Sequence, residues 1–259
     1  MECKGDTGLI KQQEFYDKYV RRAKERVVVI ISDAFRFEVG QTLLKRLMED
    51  EKCIASIDTM QSVLPSYTRF GMSALLPHRK LSMSADYSVL VDGKICDNLN
   101  SREQVLQSFV PNSRTVQFDD IKTMKIAELK EIFSGQEVVY VYHNQIDARG
   151  DKLNTENEVF TACEEAVEEI HTMIKRLTSA NNIRFIITAD HGFIYKRDKL
   201  VESDKISGFD RENAFVGRRY VIASEGIHAE GVGTVRLGDI LSNEDDRIVS
   251  VPIGSDVFK

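Results

Sequence analysis

The sequence contains few cysteines, and they are far apart. Cys3, Cys53, Cys96 and Cys163 are irregularly spaced, and the sequence has no Cys-x-x-Cys pair. This spacing argues against a structural zinc site built from thiolates and against a disulfide framework. We therefore expect a protein of a reducing compartment, and any metal site must draw on other ligand types.

A secretory signal, a long apolar run and a positive net charge are also missing. The opening residues MECKGDTGLIKQQ have no apolar core, and every apolar run is far short of the ~20 residues that span a bilayer. The net charge of −6 argues against a generic electrostatic nucleic-acid binder, although a bound metal supplies local positive charge. We expect a cytoplasmic protein without a membrane segment.

What the chain does contain is a series of strand and helix patterns in alternation. Residues 27–31 are apolar on both faces, which is typical of a central parallel strand, and residues 138–142 and 183–187 predict two further strands. Residues 155–177 have apolar side chains at helical spacing, and residues 37–50 predict a further helix. The fold class is therefore predicted as α/β, with a mainly parallel sheet sandwiched by helices.

Three further segments complete the predicted organisation. Residues 1–25 are assigned to an N-terminal helix, for which 9–25 carry the periodicity, and residues 54–64 predict a second strand. From about residue 200 to 259, glycine-punctuated short strands predict a small β-rich C-terminal region. We expect a single domain over residues 1–259.

Polar residues follow the predicted buried strands. Asp33 ends the first strand, His143 ends the second, and Asp190 and His191 end the third. The carboxyl ends of parallel strands meet at one edge of a sheet, where ligands bind. Carboxylates and imidazoles in such a set suit zinc or manganese. The alternatives are a helix cap at Asp33 and a simple turn at 190–192.

Two neighbouring motifs add candidate residues. Asp147 and Asp151 are four residues apart, so on a helical turn both carboxylates reach one ion, and the alternative is a role at a helix start or in a loop network. Thr68 follows Pro65 at the start of a predicted helix, where a hydroxyl is either a nucleophile activated by a metal or simply an N-cap.

Four motifs together resemble the PglZ domain of bacterial BREX phage-defence systems, a member of the alkaline phosphatase superfamily. These motifs are VIISDAFRFEVG, VLPSYTRFGMSALLPH, VYHNQIDARGDK and ITADHGFIY, and they occur in the family's order. The resemblance extends from about residue 20 to the end of the chain.

The resemblance implies a two-metal phosphohydrolase, either a phosphatase or a phosphodiesterase. Asp33, Asp190 and His191 correspond to the ligands of one metal, zinc or else manganese, and Thr68 to the nucleophile. Asp147 and Asp151 correspond to ligands of the second metal. His143 has two alternative roles, as a further ligand of the second metal or as a residue that orients a ligand or the phosphate.

Arg69 is a candidate phosphate contact or else a solvated side chain. The family's downstream His-Gly-Gly motif is missing before Lys259, so we expect a fragment of a longer protein with an incomplete second metal site. The alternative function is a catalytically silent scaffold that binds metal and a nucleotide or nucleic acid. The implied partners are a phosphate-ester substrate and other defence-system proteins.

Overall fold

A computed structural model describes residues 8–150, 158–196 and 200–259 of the chain. The strands are Ile10–Lys11 (β1), Val27–Ser32 (β2), Met60–Gln61 (β3), Leu81–Met83 (β4), Val89–Val91 (β5), Lys94–Ile95 (β6), Ser113–Gln117 (β7), Val138–His143 (β8), Phe185–Thr188 (β9), Lys205–Ile206 (β10), Phe215–Gly217 (β11), Tyr220–Ala223 (β12), Val232–Arg236 (β13), Ile248–Pro252 (β14) and Val257–Phe258 (β15). The α-helices are Phe37–Met48 (α1), Thr68–Ala74 (α2), Leu99–Phe109 (α3), Phe118–Ile121 (α4), Ile126–Phe133 (α5), Gln145–Gly150 (α6), Val159–Ser179 (α7) and Leu237–Leu241 (α8).

A parallel sheet with the strand order β7-β8-β2-β9 forms the centre of the fold. All six residues of β2 are buried, as the β-branched run predicts for a strand covered on both faces. β2 pairs in parallel with β8 on one side and with β9 on the other. The three strands whose polar ends were singled out are therefore neighbours, and those ends share one edge.

Helices cover both faces of this sheet. Val28 and Ile30 point to one face and pack with residues of α1, α5 and α7. Val27, Val29 and Ile31 point to the other and pack with residues of α2 and α3. This alternation follows from the two-residue period of a strand. The predicted α/β class, a parallel sheet sandwiched by helices, is confirmed.

The C-terminal region is β-rich, as predicted. Strands β11-β12-β14-β13 form an antiparallel sheet in that order. Ile222 and Val249 of this sheet belong to the same hydrophobic core as α2 and α3. The small sheet thus packs on the face of the central sheet that carries α2. Among the described helices, none combines the length and the apolar composition needed to cross a bilayer.

Two predicted elements differ from the structure. In place of a continuous helix over residues 9–25, the chain forms β1, a 3₁₀ turn at Gln12–Glu14 and a π-helical turn at Tyr16–Val20. β1 pairs with β3, and this pairing is incompatible with helix at residues 10 and 11. The predicted strand at 54–64 is reduced to β3, because pairing occurs only where it meets the two residues of β1.

Candidate metal centre

The ends of β2 and β9 bring three potential ligands together. Asp33 directly follows β2, while Asp190 and His191 lie just beyond β9. One ligand atom from each residue lies within 4.8 Å of the other two. Among the described residues, this is the group of acids and histidines with the spacing of a metal site. The convergence follows from the parallel pairing of β2 with β9.

Both carboxylates of this group are buried, and each has an oxygen without a hydrogen-bond partner. Asp33 and Asp190 are 4% and 0% exposed, so neither is a solvated turn residue. Within the described chain, Asp33 Oδ1 and Asp190 Oδ2 accept no hydrogen bond. A buried, unpaired carboxylate oxygen is costly, and a cation removes that cost. The donor set therefore fits a divalent metal.

The electrostatics of the pair point in the same direction. Burial is the main cause that raises the pKa of Asp33, and the charges of Asp190 and Asp147 raise it further. Burial also raises the pKa of Asp190, against the opposing effect of His191. Two buried acids side by side resist ionising together, unless a positive charge lies between them.

The hydrogen bonding of His191 leaves one ring nitrogen available as a ligand. Nδ1 lies 2.8 Å from the carbonyl oxygen of Gly192, which only accepts, so Nδ1 carries the proton. In the neutral ring the lone pair is then on Nε2. Nε2 lies 3.3 Å from Asp33 Oδ1 and 3.5 Å from Asp190 Oδ2. A metal-binding histidine commonly has this arrangement.

Thr68, at the start of α2, faces the same ring nitrogen of His191. Its Oγ1 lies 3.0 Å from His191 Nε2, and the side chain is half-buried. The N-cap of α2 is Tyr67, so Thr68 occupies the first helical position and is not the N-cap. Similarly, the N-cap of α1 is Arg36, so Asp33 does not cap that helix. Neither capping alternative applies.

A glycine that the sequence reasoning missed sets how closely α2 approaches the ligands. A Cβ atom on Gly71 would lie 2.2 Å from the backbone oxygen of Asp190, so only glycine fits there. The one sequence signal is its place three residues after Thr68, next to small residues. Gly71 thus brings the helix that carries Thr68 against the loop that carries Asp190.

Two of the other candidate residues, Asp147 and Arg69, lie near this centre. Asp147, in α6, is near enough for its charge to act on Asp33, but it is not one of the three clustered ligands. Asp151 lies outside the described residues. Arg69 is exposed, and its charge lowers the pKa of the neighbouring Tyr67 and Tyr220 against the dominant effect of their burial.

His143 is engaged elsewhere. Its Nδ1 lies 2.9 Å from Ser32 Oγ, and its Nε2 lies 3.0 Å from Glu169 Oε2. Burial lowers its pKa, which favours the neutral ring. Since Ser32 precedes Asp33, His143 ties α7 to the end of β2, next to Asp33. Glu169 was not found from sequence, because an acid on a charged helix face carries no distinguishing signal.

Comparison with known proteins identifies a family that the chain matches over most of its length. Residues 13–259 match the BREX system PglZ alkaline phosphatase-like domain. The chain is 38% identical over 257 residues to the alkaline phosphatase-like protein PglZ of Bacillus cereus (strain H3081.97), covering 97% of this chain and 30% of that protein. It is 34% identical over 206 residues to the alkaline phosphatase-like protein BrxZ of Escherichia coli O9:H4 (strain HS), covering 76% of this chain and 24% of that protein.

Two solved structures share the fold. Murine ectonucleotide pyrophosphatase / phosphodiesterase 5 superposes with a TM-score of 0.58 at 12% identity, covering 90% of this chain and 80% of that one. An inactive variant of that protein in complex with AMP gives a TM-score of 0.56 at 12% identity, covering 91% of this chain and 80% of that one. The chain spans about a third or less of the curated relatives' length. From the match over residues 13–259, the chain belongs to the PglZ family of BREX alkaline phosphatase-like domains.

Proposed function

We propose that this chain is the core of a metal-dependent phosphohydrolase in which Thr68 is the nucleophile. The observation that carries the proposal is the position of Thr68 Oγ1, 3.0 Å from a ring nitrogen that also faces two buried, unpaired carboxylate oxygens. A hydroxyl held against a prospective metal site is the arrangement that nucleophilic phosphoryl transfer requires.

Asp33, Asp190 and His191 would hold the first metal, zinc or else manganese, because their donor set of two carboxylates and one imidazole suits both ions. When bound, the ion supplies positive charge that lowers the pKa of the Thr68 hydroxyl and offsets charge on the transferring phosphoryl group. Asp147, together with Asp151, is assigned to a second metal.

The chain's own residues account for the rest of the reaction. Thr68 Oγ, having lost its proton, forms a bond to phosphorus, and the ester oxygen leaves and takes up a proton. Water then cleaves the threonine phosphate and restores the hydroxyl. Gly71 keeps α2 against the Asp190 loop, so Thr68 does not need to move toward the ligands. Arg69, exposed beside Thr68, would contact phosphate oxygens.

The substrate class is a phosphate ester, with a nucleotide or nucleic acid as the leading kind. The structural neighbour that was solved with AMP supports a nucleotide ligand. Family membership supports action in phage defence together with other BREX proteins. In the alternative, the chain is a metal-binding scaffold of the defence complex that turns nothing over, and the following experiment separates the two.

The test compares hydrolysis of an aryl phosphate monoester and a diester by the purified protein with zinc, with manganese and with chelator. We expect metal-dependent turnover that falls about 10³-fold or more in Thr68→Ala and is partly kept in Thr68→Ser. Ser66→Ala, which removes an exposed hydroxyl two residues away, serves as the matched control and keeps full turnover.

Equal turnover in Thr68→Ala and the unmodified protein would contradict the assignment of the nucleophile. Metal binding without turnover of either ester, in every variant, would favour the scaffold.

A further inference from the structure

The amide side chain of Gln12 is buried beside the proposed centre and is fully hydrogen-bonded. Gln12 is 2% exposed. Its Nε2 donates to the backbone oxygens of Ala189, at 3.1 Å, and Asp190, at 2.6 Å. Its Oε1 accepts from Val63 N, at 3.1 Å, and from Ser62 Oγ, at 3.4 Å. Both donors and both acceptor sites of the amide are therefore used.

These four bonds join two segments that are distant in sequence. Residues 62 and 63 lead directly into the turn that places Thr68 at the start of α2. Residues 189 and 190 carry one proposed ligand and immediately precede the other, His191. The Gln12 amide thus links residues 62 and 63, which precede Thr68, directly to residues 189 and 190, which precede His191.

The same two segments also meet without a linking side chain. A Cβ on Gly71 would lie 2.2 Å from the backbone oxygen of Asp190, so α2 packs directly on this loop. The oxygen of Asp190 is therefore held by Gln12 Nε2 and packed against Gly71. Two independent contacts restrain one peptide group, next to both Asp190 and His191.

The neighbouring Gln13 provides an internal contrast. Its Nε2 donates to the backbone oxygen of Ile240, at 3.0 Å, in α8 of the C-terminal region. Its Oε1 is buried and has no hydrogen-bond partner among the described residues. Gln13 contacts neither the Thr68 segment nor the Asp190 segment in these bonds. Gln12 therefore bonds to the segments of the site, whereas Gln13 bonds to α8, away from it.

We propose that Gln12 is a positioning residue that sets the distance between Thr68 Oγ1 and His191 Nε2. This inference rests on the proposed function, because it assigns Thr68 and His191 their roles. None of the four hydrogen bonds of the Gln12 amide is made to Thr68 or to the side chain of a proposed ligand. It acts through the backbone of Ala189, Asp190 and Val63, and a shift of about 1 Å in such a frame costs on the order of 10²-fold in rate.

The test compares Gln12→Met with Gln13→Met. Methionine keeps the length and apolar contacts of glutamine and removes its hydrogen bonds. In Gln12→Met we expect kcat for the aryl phosphate ester to fall about 10–100-fold while KM changes less than about 3-fold, and zinc affinity to fall about 10–100-fold. In Gln13→Met we expect kcat and zinc affinity to stay within about 2-fold, whatever the loss in melting temperature.

Gln12→Glu provides a second variant if Gln12→Met does not fold. Glutamate keeps the size and the two acceptor sites that face Val63 and Ser62, and it loses the donors that hold residues 189 and 190. We expect the same fall in kcat and zinc affinity. If either Gln12 variant is folded and matches Gln13→Met in both quantities, the positioning role is wrong.

The unmodified protein separates this failure from failure of the proposed function. If it neither binds zinc nor shows turnover that depends on Thr68, the proposed function itself is contradicted, and the role of Gln12 with it. If it does both and Gln12→Met behaves normally, only the role of Gln12 is contradicted. Zinc affinity, measured by titration calorimetry, provides a readout that does not require turnover.

Discussion

At the scale of single residues, Asp33 and Asp190 lower the stability of the metal-free protein but suit the proposed function. Two buried carboxyl groups side by side, each with an unpaired oxygen, are unfavourable in a metal-free protein. The same two oxygens are what a divalent ion requires. A protein with such a charged pair is less stable than one with an uncharged residue in its place, and binding of the metal restores the lost stability.

We predict that Asp33→Asn stabilises the metal-free protein. In the presence of chelator at neutral pH, the free energy of unfolding should rise by about 1–3 kcal/mol, because the amide is neutral and donates to the unpaired oxygen nearby. Zinc should raise the melting temperature of the unmodified protein but not that of Asp33→Asn. Scanning calorimetry with and without zinc measures both, and Asp120→Asn, at an exposed site, is the control.

The pH dependence of this difference has a definite sign. The pKa of Asp33 is raised above its ordinary value by burial, so the folded state favours the protonated carboxyl. The unmodified, metal-free protein therefore loses stability as pH rises from the unfolded pKa, about 3.9, through the folded one. The advantage of Asp33→Asn should grow over that range and vanish in acid. An advantage that shrinks as pH rises would contradict the account.

Sequence alone predicted the residues whose chemistry is conspicuous. Asp33 follows a buried strand, and Asp190 and His191 follow a partly buried apolar one, and that pattern was sufficient to predict their convergence. Gln12 was not predicted, because a single glutamine in an amphipathic stretch has no feature that distinguishes a buried, fully bonded amide from a solvated one. Its role depends on contacts with residues more than 170 positions away.

At the scale of elements, α2 packs directly against the loop that carries Asp190. We predict that Gly71→Ala forces the two apart, because its Cβ would meet backbone atoms that cannot rotate away. The expected loss is about 1–3 kcal/mol in the free energy of unfolding, with a loss of turnover at least as large as that of Gln12→Met. Chemical denaturation and the ester assay measure these two effects.

Gly40→Ala is the matched control for that substitution. Gly40 lies inside α1, and a Cβ there would meet Ile57 Cδ1 at 3.2 Å, the flexible end of a side chain. Alanine is the better helix former, by roughly 1 kcal/mol, so stability should be unchanged or higher. If Gly71→Ala kept the stability and turnover of Gly40→Ala, the close packing of α2 on the Asp190 loop would contribute to neither quantity.

Elements were predictable where their pattern is decided locally. The buried strands β2 and β8 and the amphipathic α7 were identified because their apolar patterns are long and regular. The helix expected over residues 9–25 was wrong, since β1 pairs with β3 fifty positions away. That pairing overrides a helical periodicity that the sequence shows, and no local signal reveals it.

At the scale of the whole molecule, an aromatic contact joins the C-terminal sheet to the helix that carries Thr68. Tyr220 of β12 stacks on Tyr67, with ring centroids 5.0 Å apart. Tyr67 is the N-cap of α2 and immediately precedes Thr68. Gly217 lies opposite Tyr220 in the hairpin, and a Cβ there would overlap its ring. The β-rich region thus supports the start of α2.

We predict that Tyr220→Ala lowers the free energy of unfolding by about 2–4 kcal/mol, because it removes a half-buried ring and its stack. Turnover should also fall, since Tyr67 loses its support. Tyr220→Phe retains the ring and should keep both quantities near those of the unmodified protein. Thermal denaturation and the ester assay together check this, and a fall in stability without any change in turnover would restrict the contact to a structural role.

The central claim is that Asp33, Asp190 and His191 hold one divalent metal opposite Thr68. Anomalous diffraction at the zinc edge, from crystals of the protein grown with zinc, tests it most directly. We expect a peak about 2.0–2.2 Å from one carboxylate oxygen each of Asp33 and Asp190 and from His191 Nε2, with Thr68 Oγ1 facing it. A zinc-loaded crystal whose anomalous peaks all lie elsewhere would contradict the claim.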